Sequence, residues 1–362
     1  MNFKKILSLL LVLILSTTLL AGCNSGEIEK ETEIETGNEN IEEETQEKNS
    51  KIAEMEEALM SQLEPMPKIN NGEKIGVLVI SLTNPYWVNM KECYEKAGEE
   101  LGVDVEVLAA PTEGDTTVQL ETLDGMIVKD YDAIIFSPID RNNLIPGIIR
   151  ANQANVPVIN LGPGVDEEGL KEQGGFLDGR ITIDFENQGK MAAEDMVKQM
   201  PEGGKVAIIQ GIPGAGQSEG RTKGAKEVFE NTEGVELVSI QPADWDRNKA
   251  YNIATDLIQA HPDLKAIFAC NDVMALAAVE ALETANEREK IIVYGVDFTD
   301  EAQEAIIAGR LDGSVTYSSR AYSKAGLLLA LKIAQGQEIN EAVYSPLVIV
   351  NKENIDEFHG WE

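Results

Sequence analysis

Histidine is almost missing from this chain: two residues in 362. His261 precedes Pro262 at a predicted helix end and His359 lies in the tail, so neither a Ser/His/Asp set nor a metal-ligand cluster can be assembled. Basic residues are scarce as well. Lys and Arg number 30 against 63 Asp and Glu, which leaves a formal charge of -33. Nucleic-acid binding, which needs a basic footprint on phosphate, is therefore excluded as an expectation. Only three cysteines occur. Cys93 and Cys270 fall in different predicted domains and read as small buried residues rather than a disulfide. The glycine cluster "GIPGAGQSEG", Gly211 to Gly220, lacks the G-x-G-x-x-G spacing and has no Walker lysine in register, so it reads as a turn. The acidic pairs Asp244/Asp246 and Asp297/Asp300 are explained as turn and cap residues. No enzyme activity, cofactor or metal is expected.

Long apolar runs are equally rare. Ile6 to Leu20, after Lys4 and Lys5, spans roughly 15 residues, short of the ~20 a spanning helix needs but right for a secretion signal. It ends in Leu20-Ala21-Gly22-Cys23, which resembles the lipobox of bacterial lipoproteins. That resemblance implies a signal peptide over residues 1–22, cleavage after Gly22 and a lipid on Cys23. Residues 23–72 follow as an acidic, disordered linker, too poor in large apolar side chains to offset its ordering entropy. Within it, Lys51 to Glu64 could add a helical turn or two.

What is present begins at Lys74. Apolar β-rich runs, among them Ile75–Ile80, Ala133–Phe136, Val158–Leu161, Lys205–Gln210 and Ala266–Cys270, alternate with amphipathic stretches of helical period. Continuous apolar strands joined by helices predict parallel sheets covered on both faces. The strands are too many for one sheet. The expected fold is α/β, two similar doubly wound parallel-sheet domains. Ligands of such sheets bind beyond the carboxyl ends of the strands. Those ends carry "TNPYW" with Asn84, Tyr86 and Trp87, "QPADWDRNKA" with Trp245, "ACNDVM" with Asn271 and Asp272, and "YGVDFTDE" with Asp297. Arg221 opens a helix, and Asp272 is expected to N-cap another. Aromatic faces, amides, a carboxylate and a guanidinium suit a small ligand with many hydroxyls.

Taken in order with "RANQANVPVIN" and "HPDLKAIFACNDVMALAA", these motifs resemble the type I periplasmic sugar-binding proteins of ABC transporters, closest to the ribose-binding branch. The likeness runs from about Lys74 to Lys352. It implies a three-segment hinge joining residues 73–183 plus 318–346 to residues 184–317 plus 347–358. It also implies that Asn84, Tyr86, Trp87, Arg221, Trp245, Asn271, Asp297 and Tyr317 bind the ligand. The rings would sandwich a sugar, and closure of the hinge would complete its hydrogen bonds. The implied protein is an extracytoplasmic solute-binding lipoprotein on the outer face of the bacterial cytoplasmic membrane. It would be monomeric and would deliver a sugar or polyol to an ABC-transporter permease. The alternative is a ligand-sensing receptor module coupled to a membrane signalling protein.

Two departures from the ribose-type pattern stand out. Gly162-Pro163 replaces an Asp-Arg pair that grips the ligand, and an insertion-like stretch, "GVDEEGLKEQGGFLDGRITID", follows. Arg180 and Asp178 are the candidates to fill that gap. Tyr317 stands where the family has glutamine, which predicts a more aromatic, less charged pocket.

Overall fold

The computed structural model describes residues 52–70, 72–337, 339 and 342–358. The signal peptide, the lipobox with Cys23, the first part of the acidic linker and His359 lie outside the described residues.

Two six-stranded sheets form the body. The first is built from β1 (Lys74–Ser81), β2 (Asp104–Ala110), β3 (Ala133–Phe136), β4 (Val158–Leu161) and β5 (Gly179–Thr182). The second holds β6 (Gly204–Gln210), β7 (Val235–Pro242), β8 (Leu264–Ala269), β9 (Ile292–Val296) and β10 (Gly313–Thr316). Late in the chain β11 (Val343–Tyr344) returns to the first sheet and β12 (Val348–Asn351) to the second. The strand orders, 11-5-4-3-1-2 and 12-10-9-8-6-7, are the same pattern twice. Only β12 runs antiparallel to its neighbour. The fold is therefore the doubly wound pair of α/β domains expected from the sequence. The chain passes between the sheets after β5, after β10 and between β11 and β12.

The strands read as continuous apolar runs because both faces are covered. Ile75, Val77, Leu78 and Val79 of β1 are all buried, as are Ala266 to Ala269 of β8. Helices close each crossover: α2 (Pro85–Leu101), α3 (Thr116–Ile127), α4 (Ile145–Ala154) and α5 (Glu167–Glu172) in the first domain. In the second they are α6 (Phe185–Lys198), α7 (Gly216–Asn231), α8 (Arg247–Ala260), α9 (Asp272–Thr284) and α10 (Asp300–Ile307). Helix α11 (Ser319–Ala334) crosses back and packs on α2. The insertion-like stretch after Gly162-Pro163 is built into the first domain. It forms α5 and β5, and β5 is the strand on which β11 pairs.

The acidic linker also ends sooner than composition suggested. Residues 52–61 form helix α1, and the chain after it stays packed. Leu59 and Leu63 are fully buried in the first domain's core, while Ile52 packs against the second domain's apolar cluster. Average composition concealed a helical face, Ile52, Met55, Leu59 and Leu63, spaced at three and four residues. The packing is fixed by polar contacts. The buried Lys332 ammonium donates to the carbonyls of Leu63 (2.8 Å) and Pro65 (2.6 Å). The Gln62 amide pairs with Tyr344 through both backbone groups, at 2.8 and 2.9 Å.

Candidate functional site

A cavity, partly open to solvent, lies between the domains at the carboxyl ends of both sheets. The first domain supplies one wall from the start of α2. Asn84 caps that helix, its Oδ1 accepting from the Tyr86 amide at 3.0 Å, with Pro85 in the first turn. The cap aims Tyr86 and Trp87 at the cavity, edge to face with centroids 4.6 Å apart. Behind them, the Tyr86 and Tyr317 hydroxyls are hydrogen-bonded.

The opposite wall comes from the second domain. Trp245 follows β7 on left-handed backbone, φ 63°, next to Asp244 at φ 54°. Its ring lies on Gly211, where a Cβ would stand 2.1 Å from a ring carbon, so only glycine leaves the ring its seat. Arg221 reaches the cavity because α6 and α7 touch backbone to backbone. A Cβ at Gly189 would lie 2.0 Å from the Arg221 carbonyl oxygen, and one at Gly224 would lie 1.9 Å from that of Glu186. The buried guanidinium donates to Gln188 Oε1 (2.8 Å), to the Cys270 carbonyl (2.7 Å) and to Asp297 Oδ1 (3.3 Å). It also lies over the Phe185 ring at 5.7 Å.

Asp297 sits at φ 114°, a region that a residue with a Cβ occupies only when its surroundings impose it. The surroundings do so here. Its amide donates to the Val315 carbonyl, and Thr316 Oγ1 donates to its carbonyl oxygen. Asp272 clamps the same turn. Its Oδ2 accepts from the Thr299 amide and its Oδ1 from Ser314 Oγ, both at 2.8 Å. Asp272 therefore does not cap α9 as expected. Asn271 does, its Oδ1 accepting from the Met274 amide at 3.0 Å, and Asn271 also lines the cavity. Burial pushes the Asp297 carboxyl up to about 6, against the pull of Arg221.

Seven of the eight residues named from the sequence line this cavity: Asn84, Tyr86, Trp87, Arg221, Trp245, Asn271 and Asp297. Tyr317 does not. Its hydroxyl is spent on Tyr86 and its ring packs edge-on to Tyr322, so it backs the wall instead of forming it. Neither candidate for the missing Asp-Arg pair reaches the cavity. Asp178 accepts from the Val158 amide at the start of β4, and Arg180 pairs with Glu167 at 3.0 Å. Gly162 and Pro163 themselves form that part of the wall.

Sequence reasoning missed Phe185, Gln217 and Glu113, which also line the cavity. Glu113 lies just past the carboxyl end of β2, and that position was the available signal. Its Oε1 accepts from Asn84 Nδ2 at 3.1 Å, and burial pushes its carboxyl up to about 7. Phe185 follows the first crossing between the sheets. Gln217 stands one helical turn before Arg221, and its Oε1 has no hydrogen-bond partner. Among the described residues no cluster of three or more metal-binding side chains occurs, and no helix is long and apolar enough to cross a membrane.

The periplasmic binding protein domain matches residues 75–338. The chain belongs to that family. It is 36% identical to a D-allose-binding periplasmic protein of Escherichia coli K12 over 254 residues, 70% of this chain and 82% of the relative. It is 30% identical to the ribose import binding protein of the same organism over 281 residues, 78% and 91% of the two chains. Among solved structures, an ABC-transporter solute-binding protein of Actinobacillus succinogenes 130z with bound D-allose superimposes with a TM-score of 0.76. The identity is 30%, covering 79% of this chain and all of that one. A Bacillus halodurans C-125 solute-binding protein with bound myo-inositol gives 0.71 at 25% identity, over 79% and 97% of the chains. These relatives bind solutes and are not enzymes. As a periplasmic binding protein, the chain places its cavity where the two-sheet fold leads one to look, between the carboxyl ends of both sheets.

Proposed function

We propose that this protein is the solute-binding lipoprotein of an ABC importer and that its cargo is a small sugar or cyclitol. The observation that carries this is the cavity wall. Trp87 and Trp245 face it from opposite domains, while Arg221, Asn271 and Asp297 converge on it from the ends of adjacent elements. Flat rings suit the C–H faces of a pyranose or cyclitol, and amides, a carboxylate and a guanidinium suit its hydroxyls. Relatives named for allose and ribose, or solved with D-allose and myo-inositol, support the same ligand class. Buried walls and a close approach of Pro163 to Gly216 across the cleft fit a closed form. Opening would then proceed about the three connecting segments, and ligand preference for the closed state would drive the shift.

In this reading Cys23 carries a lipid that holds the monomeric protein at the outer face of the bacterial cytoplasmic membrane, and the closed form presents a joint surface to a permease. The test is calorimetric titration of the mature protein with D-allose, D-ribose and myo-inositol. Saturable heat with any one of them, lost in Trp87→Ala, supports the assignment. A folded protein that takes none of a broad panel of sugars and polyols would overturn it.

A further inference from the structure

The cavity holds three charged side chains, Arg221, Asp297 and Glu113. Arg221 and Asp297 face each other, so their charges offset. Glu113 is partnered by the Asn84 amide at 3.1 Å, and it pairs with no lysine or arginine among the described residues. Nor do cations at the cleft mouth supply one. Arg247 is held by Glu280 (2.8 Å) and Glu301 (2.6 Å), and Lys249 by Asp244 (2.7 Å). Gly162 and Pro163, which form another part of this wall, bring no charge. The cavity thus carries one carboxylate beyond its cations. Its remaining walls are rich in π faces from Tyr86, Trp87 and Trp245. A half-buried carboxylate beside aromatic faces favours a cation over a neutral hydroxyl, through charge-assisted hydrogen bonds and ring quadrupoles. The overall charge of -33 would draw such a ligand toward the protein.

We infer that the preferred ligand is a hydroxylated ring bearing one amine, an amino sugar or aminocyclitol, with Glu113 as the residue that selects its ammonium. This deepens the sugar-binding proposal above and rests on it. Asn84 orients Glu113 from the helix cap, so the carboxylate is fixed before the ligand arrives.

The experiment is titration calorimetry of the mature protein at pH 7.5. D-allose, D-ribose and myo-inositol are each run against their mono-amino-deoxy counterparts, every ring position sampled. At least one amine should bind about tenfold tighter than its parent, the lower range for a charge-assisted contact. In Glu113→Gln the amine-to-parent ratio should fall to about one, while Glu113→Asp should keep a preference. Parents that bind while no amine binds tighter would overturn the inference and leave the sugar-binding proposal standing. Silence from parents and amines alike would overturn both. A preference that survives Glu113→Gln would refute the role of Glu113. If that variant does not fold, the wild-type ratio decides the ligand class, and its decline as pH falls through Glu113's titration decides the residue. Asp297 and Arg221 face the same space, so the parent compound's own pH profile is subtracted.

Discussion

Replacing Asp297 by asparagine should separate binding from stability. The substitution preserves shape and removes a charge. In the apo protein that charge is a burden, because burial raises the carboxyl from 3.8 to about 6 even with Arg221 at 3.3 Å. Such a raised pKa means that the folded state holds its proton more tightly than the unfolded chain. The stabilising contribution is complete below about 4 and is lost as pH rises through about 6. At pH 8 the penalty relative to a neutral group is at most about 3 kcal/mol. Asp297→Asn should therefore be at least as stable as the wild type at pH 8, since Arg221 keeps Gln188 and the Cys270 carbonyl. The wild type should close the gap as pH falls to 5. Binding should move the other way. A carboxylate accepting from a ligand hydroxyl contributes about 1.5–3 kcal/mol, so affinity should drop roughly 10- to 150-fold. Calorimetric unfolding without ligand and titration with D-allose, or whichever sugar binds, read the two effects separately. A variant destabilised by more than about 2 kcal/mol at pH 8 with its affinity intact would refute the reasoning, because Asp297 would then be Arg221's structural counter-ion.

Trp245→Ala should weaken sugar binding at least about 30-fold, a loss typical of a buried aromatic anchor, and should also lower the unfolding temperature, because the ring is part of the second domain's core. Equal affinity in the variant would remove the ring from the site. A chain starting at residue 72 should melt roughly 5 °C or more below one starting at residue 45. It loses the burial of Leu59 and Leu63 and leaves Lys332 without its two carbonyls, a deficit on the order of 2 kcal/mol. Indistinguishable melting curves would mean that α1 adds nothing to the fold. Cys23→Ser should move the protein from the membrane to the soluble fraction after signal cleavage, as fractionation and immunoblotting would report; continued membrane association would rule out the lipid anchor.

What could be read from sequence followed from burial on two faces. Runs such as Ile75–Ile80 and Ala266–Cys270 were visible because parallel strands between helix layers have no polar side to show. The short strands β5, β11 and β12 were not. Gly179–Thr182 hid in a polar, glycine-rich stretch, and Val343–Tyr344 is only two residues long, paired on that hidden strand. The helical turn or two read over Lys51 to Glu64 is helix α1, but its docking on the domain cores was not legible, because a composition average cannot resolve the apolar stripe behind its glutamates. Within the site, residues carried by local motifs were legible, and Glu113 was not. Its one signal was its place just past the carboxyl end of β2, with no motif in "PTEGD" to set it apart; the structure shows that it ends beside Asn84. Tyr317 was misplaced for a related reason. The motif gave its position in the chain, but the hydroxyl of Tyr86, far away in sequence, decides which way its own hydroxyl is used.

The two walls of the cavity are built by different physics. In the first domain the aromatic pair rides on the regular start of α2, held by an ordinary asparagine cap. In the second domain both Trp245 and Asp297 stand on backbone with positive φ, as do their neighbours Asp244 and Phe298. Conformations of that kind cost on the order of 1–3 kcal/mol each and persist only where contacts over-determine them. Those contacts are present: Gly211 beneath the Trp245 ring, and Asp272, Thr316 and Ser314 around the Asp297 turn. None of the four contributes a side chain to the cavity wall. Under the proposed function, the strain is placed where a ligand's ring face and hydroxyls would be met, while its support lies one layer behind. Under that reading, selectivity on this wall would be governed as much by Gly211 and Asp272, which hold the geometry, as by the ring and carboxylate they present.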